Sequence, residues 1–233
     1  MRITFRHNET VQVFRLGTTT NAKISASDKI KIVQTYTFSK RQFDLVANGL
    51  NDGMKTFFSN ADTNCLDCPF NSFGKCYTHK YSQYVGFISM IKSIAKQYPT
   101  FESIPREYDI DALIKMATNR YVRLGTYGEP SLHPLEVIES LISVASSWTG
   151  YTHQYKHTDL GKYFMASTHS LEEAKKATDL GYRSFIVSDN SLAGTVSCPA
   201  SKEAGYKSTC DKCNLCSGTL GTKSKKDINI LTH

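Results

Sequence analysis

The first forty residues show short alternations of apolar and polar side chains, which is the pattern of half-buried β-strands. Polar segments separate one alternation from the next. The apolar positions are Ile3 and Phe5, Val11 and Val13, and then Ile30, Ile32 and Val33. We therefore expect residues 1–40 to form a small β-rich N-terminal arm.

Beyond residue 40, apolar positions at helical spacing alternate with short strand-like runs. Val85, Ile88, Ile91 and Ile94 recur at steps of three and predict one face of a helix that ends near Tyr98. The other predicted helices are RQFDLVANGL after Ser39, IDALIKMATN, PLEVIESLISVAS, and SLEEAKKATDL with a Ser170–Glu173 capping box and a stop at Gly181. The predicted strands are YVRLGT, GYTHQ, YFMAS, RSFIVS and, as the last, TVSC.

This alternation of strands with helices predicts an α/β fold whose strands are mostly parallel. We expect a partial or shortened (β/α) barrel over residues 41–218 that carries two cysteine clusters. The N-terminal β arm precedes it, a cysteine-rich metal site closes its C-terminal end, and residues 219–233 form a basic tail.

Several polar residues lie in or just after the predicted strands. Ligands of parallel sheets bind at the carboxyl ends of the strands, so these residues are candidates for catalysis and binding. They are Arg123 in YVRLGT, Gly128 and Glu129 after it, His153 in GYTHQ, Asp189 after RSFIV and Cys198 after TVS.

The seven cysteines fall into two groups, with three in residues 65–76 and four in residues 198–216. We call Cys65, Cys68 and Cys76 the trio, and Cys198, Cys210, Cys213 and Cys216 the quartet. In a reducing compartment such clustering indicates metal ligation rather than disulfides. Four thiolates complete the shell of a zinc ion or of a 4Fe–4S cluster, and the close spacing CDKCNLC favours the cluster.

The trio has two interpretations, because His79 follows Cys76 by three residues. With His79, it is a Cys3His zinc site, which is a closed structural arrangement. Without His79, three thiolates hold an iron–sulfur cluster that leaves one iron open to a cofactor or substrate.

Composition places limits on location and partners. No apolar run approaches the roughly 20 residues of a membrane span, and MRITFRHNET lacks the apolar stretch of a secretory signal. We therefore expect a cytoplasmic protein with no membrane partner. The net charge of +7 favours a polyanion such as nucleic acid. Aromatic residues near the trio could stack on bases: Phe70, Phe73, Tyr77, Tyr81 and Tyr84.

The segment RLGTYGEPSLHPLEVIESL resembles the Gly-Glu-Pro strand of radical S-adenosylmethionine enzymes. The resemblance implies that Glu129, with Gly128 beside it, contacts the amino group of S-adenosylmethionine. It also implies that the trio, which lies upstream, holds the reactive cluster. The gaps between the trio's cysteines are two and seven residues, whereas the family usually has three and two.

Most of residues 65–218 resembles a group of phage and plasmid proteins called gene product 88-like. The shared segments are CLDCPFNSFGKCY, RLGTYGEP, SSWTGYTHQY, FMASTHSLEEAKKATDLGYRSFIV and CPASKEAGYKSTCDKCNLCSG. This resemblance implies a phage or mobile-element origin.

Three functions follow as hypotheses. The leading one is an iron–sulfur enzyme of radical S-adenosylmethionine type, in which Arg123, His153 and Asp189 line the substrate and the quartet holds an auxiliary cluster. The second is a zinc-stabilised nucleic-acid-binding protein without catalysis. The third is a base-modifying enzyme acting on viral DNA or RNA, loosely similar to deazaguanine transglycosylases, with structural zinc and an acid such as Glu129 or Asp189 in catalysis.

Overall fold

The computed structural model describes residues 1–18, 24 and 31–232, so the predicted apolar position Ile30 lies outside the described residues. The strands are β1 Arg2–His7, β2 Thr10–Thr18, β3 Lys31–Ser39, β4 Tyr121–Tyr127, β5 Ser147–Thr149, β6 Tyr151–Thr152, β7 Met165–Thr168, β8 Ser184–Ser188, β9 Val196–Ser197 and β10 Ile228–Leu231. The helices are α1 Lys40–Ala47, α2 Met54–Ser59, α3 Asp62–Cys65, α4 Tyr81–Ala95, α5 Ile110–Ala117, α6 Leu135–Val144, α7 Leu171–Asp179 and α8 Cys210–Cys213. Short 3-10 helices cover Phe101–Ser103 and Pro130–Leu132.

The strands pair as two sheets, with the orders β1-β2-β3-β4-β5 and β6-β7-β8-β10-β9. The β1–β2 and β2–β3 pairs are antiparallel, and every other strand pair is parallel. The prediction of a mixed α/β fold with an N-terminal strand arm and mostly parallel strands is thus confirmed. In the described residues the strands form two sheets, and a barrel stays a prediction.

The first sheet buries a helix layer on each face because its side chains alternate in direction. Val33, Val122 and Leu124 pack against the apolar sides of α5 and α6. On the other face, Tyr36, Phe38 and Tyr127 contact an aromatic cluster that includes Phe87 of α4. The loop that carries the trio precedes α4, so this second face holds the candidate site.

Helix α1 begins where the sequence predicts, because Ser39 and Gln42 form a capping box. The predicted face of α4 is partly wrong. The buried residues are Phe87, Met90, Ile91 and Ile94, whereas Val85 is 46% exposed. Successive residues turn by about 100°, so positions at steps of three drift around the helix and carry Val85 into solvent.

Residues 228–231 form a strand, although the sequence analysis places them in a basic tail and expects TVSC to be the last strand. Strand β10 lies between β8 and β9 and pairs in parallel with both. The apolar–polar alternation of β10 covers only four residues and follows a lysine-rich segment, so it is too short to predict a strand. None of the described helices is long and apolar enough to cross a bilayer.

Candidate functional site

Parallel pairing brings the carboxyl ends of several strands to a common edge. Glu129 follows β4, His153 follows β6 and His169 follows β7. Strands β5 and β6 run in one direction with Gly150 alone between them, so the edge continues from the first sheet to the second. Gly150 accepts a hydrogen bond from Met165 N and donates one to Cys216 O.

The Glu129 carboxylate is buried at this edge and held on all sides by hydrogen bonds. Its Oε1 accepts from Ser131 N at 3.1 Å and its Oε2 accepts from His153 N at 3.1 Å. Burial raises the pKa of Glu129, and the Thr152 hydroxyl together with the Ser131 and His153 amides opposes that rise. Within the described part of the chain no Lys or Arg forms an ion pair with Glu129.

Gly128 has a structural reason to be glycine. Its φ is +78°, and an added Cβ would lie 2.6 Å from the Thr37 carbonyl oxygen. This close approach lets Glu129 N donate to Asn64 O at 2.7 Å, while Asn64 Nδ2 donates to Thr37 O at 2.7 Å. Asn64 directly precedes Cys65, so the turn at Gly128 fixes the start of the trio's loop.

The trio comes together beside Glu129. Burial, and then repulsion from Cys68, Cys76 and Glu129, raises the pKa of Cys65 well above its ordinary value. Burial likewise raises the pKa of Cys68 to about 11. None of the seven cysteines, all of which the structure describes, is in a disulfide. Without a cation nearby, Cys65 and Cys68 are therefore protonated at neutral pH.

His153 is the histidine at the trio. Its Nε2 lies 3.9 Å from the Sγ of Cys68, and its ring stacks with His169 at 6.0 Å between centroids. Burial, and secondly repulsion from His169, lowers the pKa of His153 to about 4, so its imidazole is neutral at pH 7. Phe70 packs edge-on against both rings. The sequence had placed His153 at the substrate, and no spacing rule links residue 153 to Cys68.

His79 lies in an aromatic cluster rather than next to a cysteine sulfur. Its Nδ1 accepts from Gly74 N at 3.0 Å, and its ring packs on Phe58 at 4.1 Å and on Phe73 at 5.9 Å between centroids. Burial lowers the pKa of His79. His79 is therefore a half-buried side chain that packs on aromatic rings.

The quartet lines one small cavity of about 20 Å³, together with Thr149, Tyr151 and Ile228. Cys198 follows β9, while Cys210 and Cys213 begin and end the single turn of α8. Burial raises the pKa of Cys216 to about 12. The hydrogen bond from Tyr151 lowers this pKa, and repulsion from the other three cysteines raises it further. The four cysteines thus line the same cavity.

The two cysteine groups lie near opposite ends of β4. Tyr121, at its start, has its pKa raised by burial and then by Cys210, while the pKa of Tyr127, at its end, is raised by burial and then by Cys65. Six residues of strand separate the two tyrosines by roughly 20 Å. The groups are therefore distinct centres on one face of the sheet.

Arg123 lies on β4 between the two centres. Its Nη2 donates to Tyr77 Oη at 3.4 Å, and Tyr77 is the neighbour of Cys76. Burial acts to lower the pKa of Arg123, but Tyr77, Tyr121, Tyr151 and Cys210 outweigh it, so the pKa is raised. Asp189 is exposed after β8, and no hydrogen bond or ion pair of the described residues joins it to the trio.

Both cysteine groups are close-packed without converging on a single point. Among the residues that the structure describes, no three His, Cys, Asp or Glu side chains are arranged around the position of one metal ion. The sequence analysis missed Asn64, Thr152 and Tyr151, whose types and spacing carry no signal of their own.

Comparison with family models, with curated proteins and with solved structures finds no match to this chain.

Proposed function

We propose that this chain is an iron–sulfur enzyme of the radical S-adenosylmethionine type, encoded by a phage or mobile element and acting in the host cytoplasm. The observation that supports it best is the meeting of the trio with Glu129 and His153 at the carboxyl edge of parallel strands. This edge is where ligands bind in such sheets.

The trio's chemistry fits a metal cluster. Its cysteines are half-buried and repel one another when ionised, so bound metal cations would stabilise the thiolates that partial burial otherwise disfavours. Three sulfurs leave one iron of a 4Fe–4S cluster without a protein ligand. When bound, a reduced cluster supplies the electron that breaks a carbon–sulfur bond of S-adenosylmethionine.

Glu129 fits an ammonium group. It is 4% exposed and has no cationic partner among the described side chains. An ammonium group beside it would offset the cost of burying the charge. The His153 and Ser131 amides fix the direction of the carboxylate.

The quartet fits a second centre, either an auxiliary 4Fe–4S cluster or a zinc ion that closes the C-terminal segment. We also propose that the two sheets are parts of one shortened (β/α) barrel. The single residue between β5 of the first sheet and β6 of the second supports this continuity.

The test is reductive cleavage of S-adenosylmethionine by protein purified and reconstituted without oxygen. We expect a brown protein that forms methionine and 5′-deoxyadenosine with a strong reductant, and a Cys68→Ser variant that forms neither. A colourless protein from an iron-replete host that holds zinc alone would contradict the proposal.

Nucleic-acid binding is a second candidate, favoured by exposed rings beside the trio. Tyr77 is 65% exposed and Tyr81 is 70% exposed, and the net charge is +7. Rings of this kind stack on unpaired bases, and lysines neutralise phosphates. Binding to single-stranded DNA that weakens steeply with salt, and weakens again in Tyr77→Ala, would support this function. Retention that does not change with salt would exclude it.

A further inference from the structure

Arg123 is a half-buried cation without a carboxylate partner among the described residues. In the part of the chain that the structure describes, no Asp or Glu forms an ion pair with it. Its neighbours are the hydroxyls of Tyr77, Tyr121 and Tyr151 and the thiol of Cys210. The Tyr121 hydroxyl already shares a 2.6 Å hydrogen bond with Thr149 Oγ1.

These neighbours do not neutralise the guanidinium. An arginine stays protonated in proteins, and a cation that is partly withdrawn from water is stabilised when an anion pairs with it. The hydroxyls of Tyr121 and Tyr151 are uncharged donors and acceptors, so they offer the guanidinium dipoles rather than a negative charge. The hydrogen bond from Arg123 to Tyr77 is long, at 3.4 Å.

We propose that Arg123 binds an oxyanion, a carboxylate or a phosphate, on the substrate of this site. The planar guanidinium presents paired N–H donors that match two oxygens of such a group. The proposal rests on the proposed function, and it names the substrate class as a small anionic molecule. The position of Arg123 fits that role because it lies between the two cysteine groups. It contacts Tyr77, the neighbour of Cys76 in the trio, and it is close to Cys210 of the quartet.

Access to Arg123 runs past an exposed residue. Tyr77 is 65% exposed and contacts Nη2, and the Arg123 side chain is itself only half-buried. A small anion from solvent can therefore reach the guanidinium by displacing the weak Tyr77 contact.

The test is chemical modification of the wild-type, metal-loaded protein with phenylglyoxal, mapped by mass spectrometry. Inorganic phosphate is the probe, and the exposed Arg106 is the internal control. With phosphate at ten times its dissociation constant, about nine-tenths of the sites are filled, so we expect Arg123 to react about tenfold more slowly and Arg106 at an unchanged rate. An unchanged rate at Arg123 would overturn the proposal.

Two further arms identify the source of the anion. Phosphate protection that persists with saturating S-adenosylmethionine assigns the site to the substrate. Protection by S-adenosylmethionine that phosphate cannot reproduce assigns it to the cofactor's carboxylate and contradicts the substrate assignment. The rate of phenylglyoxal modification can be measured without turnover. If phosphate protects Arg123 in a protein that fails to cleave S-adenosylmethionine, the anion site stands and the proposed function fails.

A variant pair completes the design. Phosphate should raise the melting temperature of wild-type and Arg106→Gln protein but not of Arg123→Gln. If Arg123→Gln fails to fold, Arg123→Lys keeps the charge and loses the paired donors, and it should bind phosphate more weakly. An equal phosphate response in the wild type and the Arg123 variant, with metal lost only from the quartet, would assign Arg123 to the quartet and overturn the inference.

Discussion

The backbone N–H of His153 donates to Oε2 of Glu129 at 3.1 Å, and the same histidine's ring lies 3.9 Å from the Sγ of Cys68. One residue thus connects the carboxylate proposed for the cofactor to a cysteine proposed for the cluster. The connection depends on β4 and β6 ending at the same edge of the fold.

Glu129→Gln tests the charge of this carboxylate. The amide keeps the size of the side chain but loses the charge, which is worth about 1.5–3 kcal/mol in a hydrogen bond to a cation. We expect the dissociation constant for S-adenosylmethionine to rise about 10- to 100-fold, measured by calorimetry. Glu107→Gln, on an exposed residue, is the matched control and should bind as the wild type does. Equal affinities of the two variants would remove Glu129 from the cofactor site.

The sequence predicts the elements of this site better than their contacts. Helical and strand periodicity located α1, α5, α6, α7, β4 and β8, because each carries a cap or a long apolar pattern. The trio and the quartet could be predicted from spacing alone. The contact of His153 with Cys68 could not, since it arises from the pairing of strands far apart in the chain.

Two histidines show why burial was harder to predict. His133 lies just before helix α6, and a position at a helix start is usually exposed to solvent. The structure instead buries it against Phe14, with Nε2 3.0 Å from Thr35 Oγ1, because β3 and the Pro130–Leu132 turn close over it. His79 is packed by Phe58 and Phe73 for a similar reason.

Gly128→Ala should destabilise the fold through the turn after β4. At φ +78° an alanine is strained, and its Cβ would overlap the Thr37 carbonyl. We expect a loss of about 2–5 kcal/mol in the free energy of unfolding. Gly49→Ala is a matched control, because Gly49 has φ +70° with no atom within 4 Å of the added Cβ, and it should lose only about 1 kcal/mol. Urea unfolding of both variants measures these free energies. Similar losses in the two variants would contradict the close approach of Gly128 to the Thr37 carbonyl.

The buried His133 should make stability fall with acid. Burial, with His7 adding repulsion, lowers its pKa to about 3, whereas the unfolded chain has the ordinary value of 6.5. Between those values the unfolded state binds a proton that the native state does not, so stability rises with pH by up to about 1.4 kcal/mol per unit. The contribution is fully present above pH 6.5 and is lost as pH falls towards 3.

His133→Gln should flatten this slope in unfolding titrations between pH 4 and 6.5. His157→Gln, on a side chain that is 64% exposed, serves as the control and should leave the slope in place. A slope unchanged in His133→Gln would mean that another group titrates.

Cys213→Ser should affect the quartet alone. The four sulfurs line one cavity near the start of β4, and the trio lies near its other end. We expect loss of the quartet's metal and a lower melting temperature, because metal binding contributes to folding stability. Metal in the trio should remain, as measured by elemental analysis. Loss of all metal from this variant would show that the two groups form one centre.

The most direct test of the account is the iron and sulfide content of three proteins reconstituted without oxygen: the wild type, the trio changed to serine, and the quartet changed to serine. We predict that the trio variant holds about four irons and four sulfides fewer per chain than the wild type, which is one 4Fe–4S cluster. The quartet variant should keep that cluster. Equal iron in the wild type and the trio variant would contradict the central claim that Cys65, Cys68 and Cys76 hold a cluster beside Glu129.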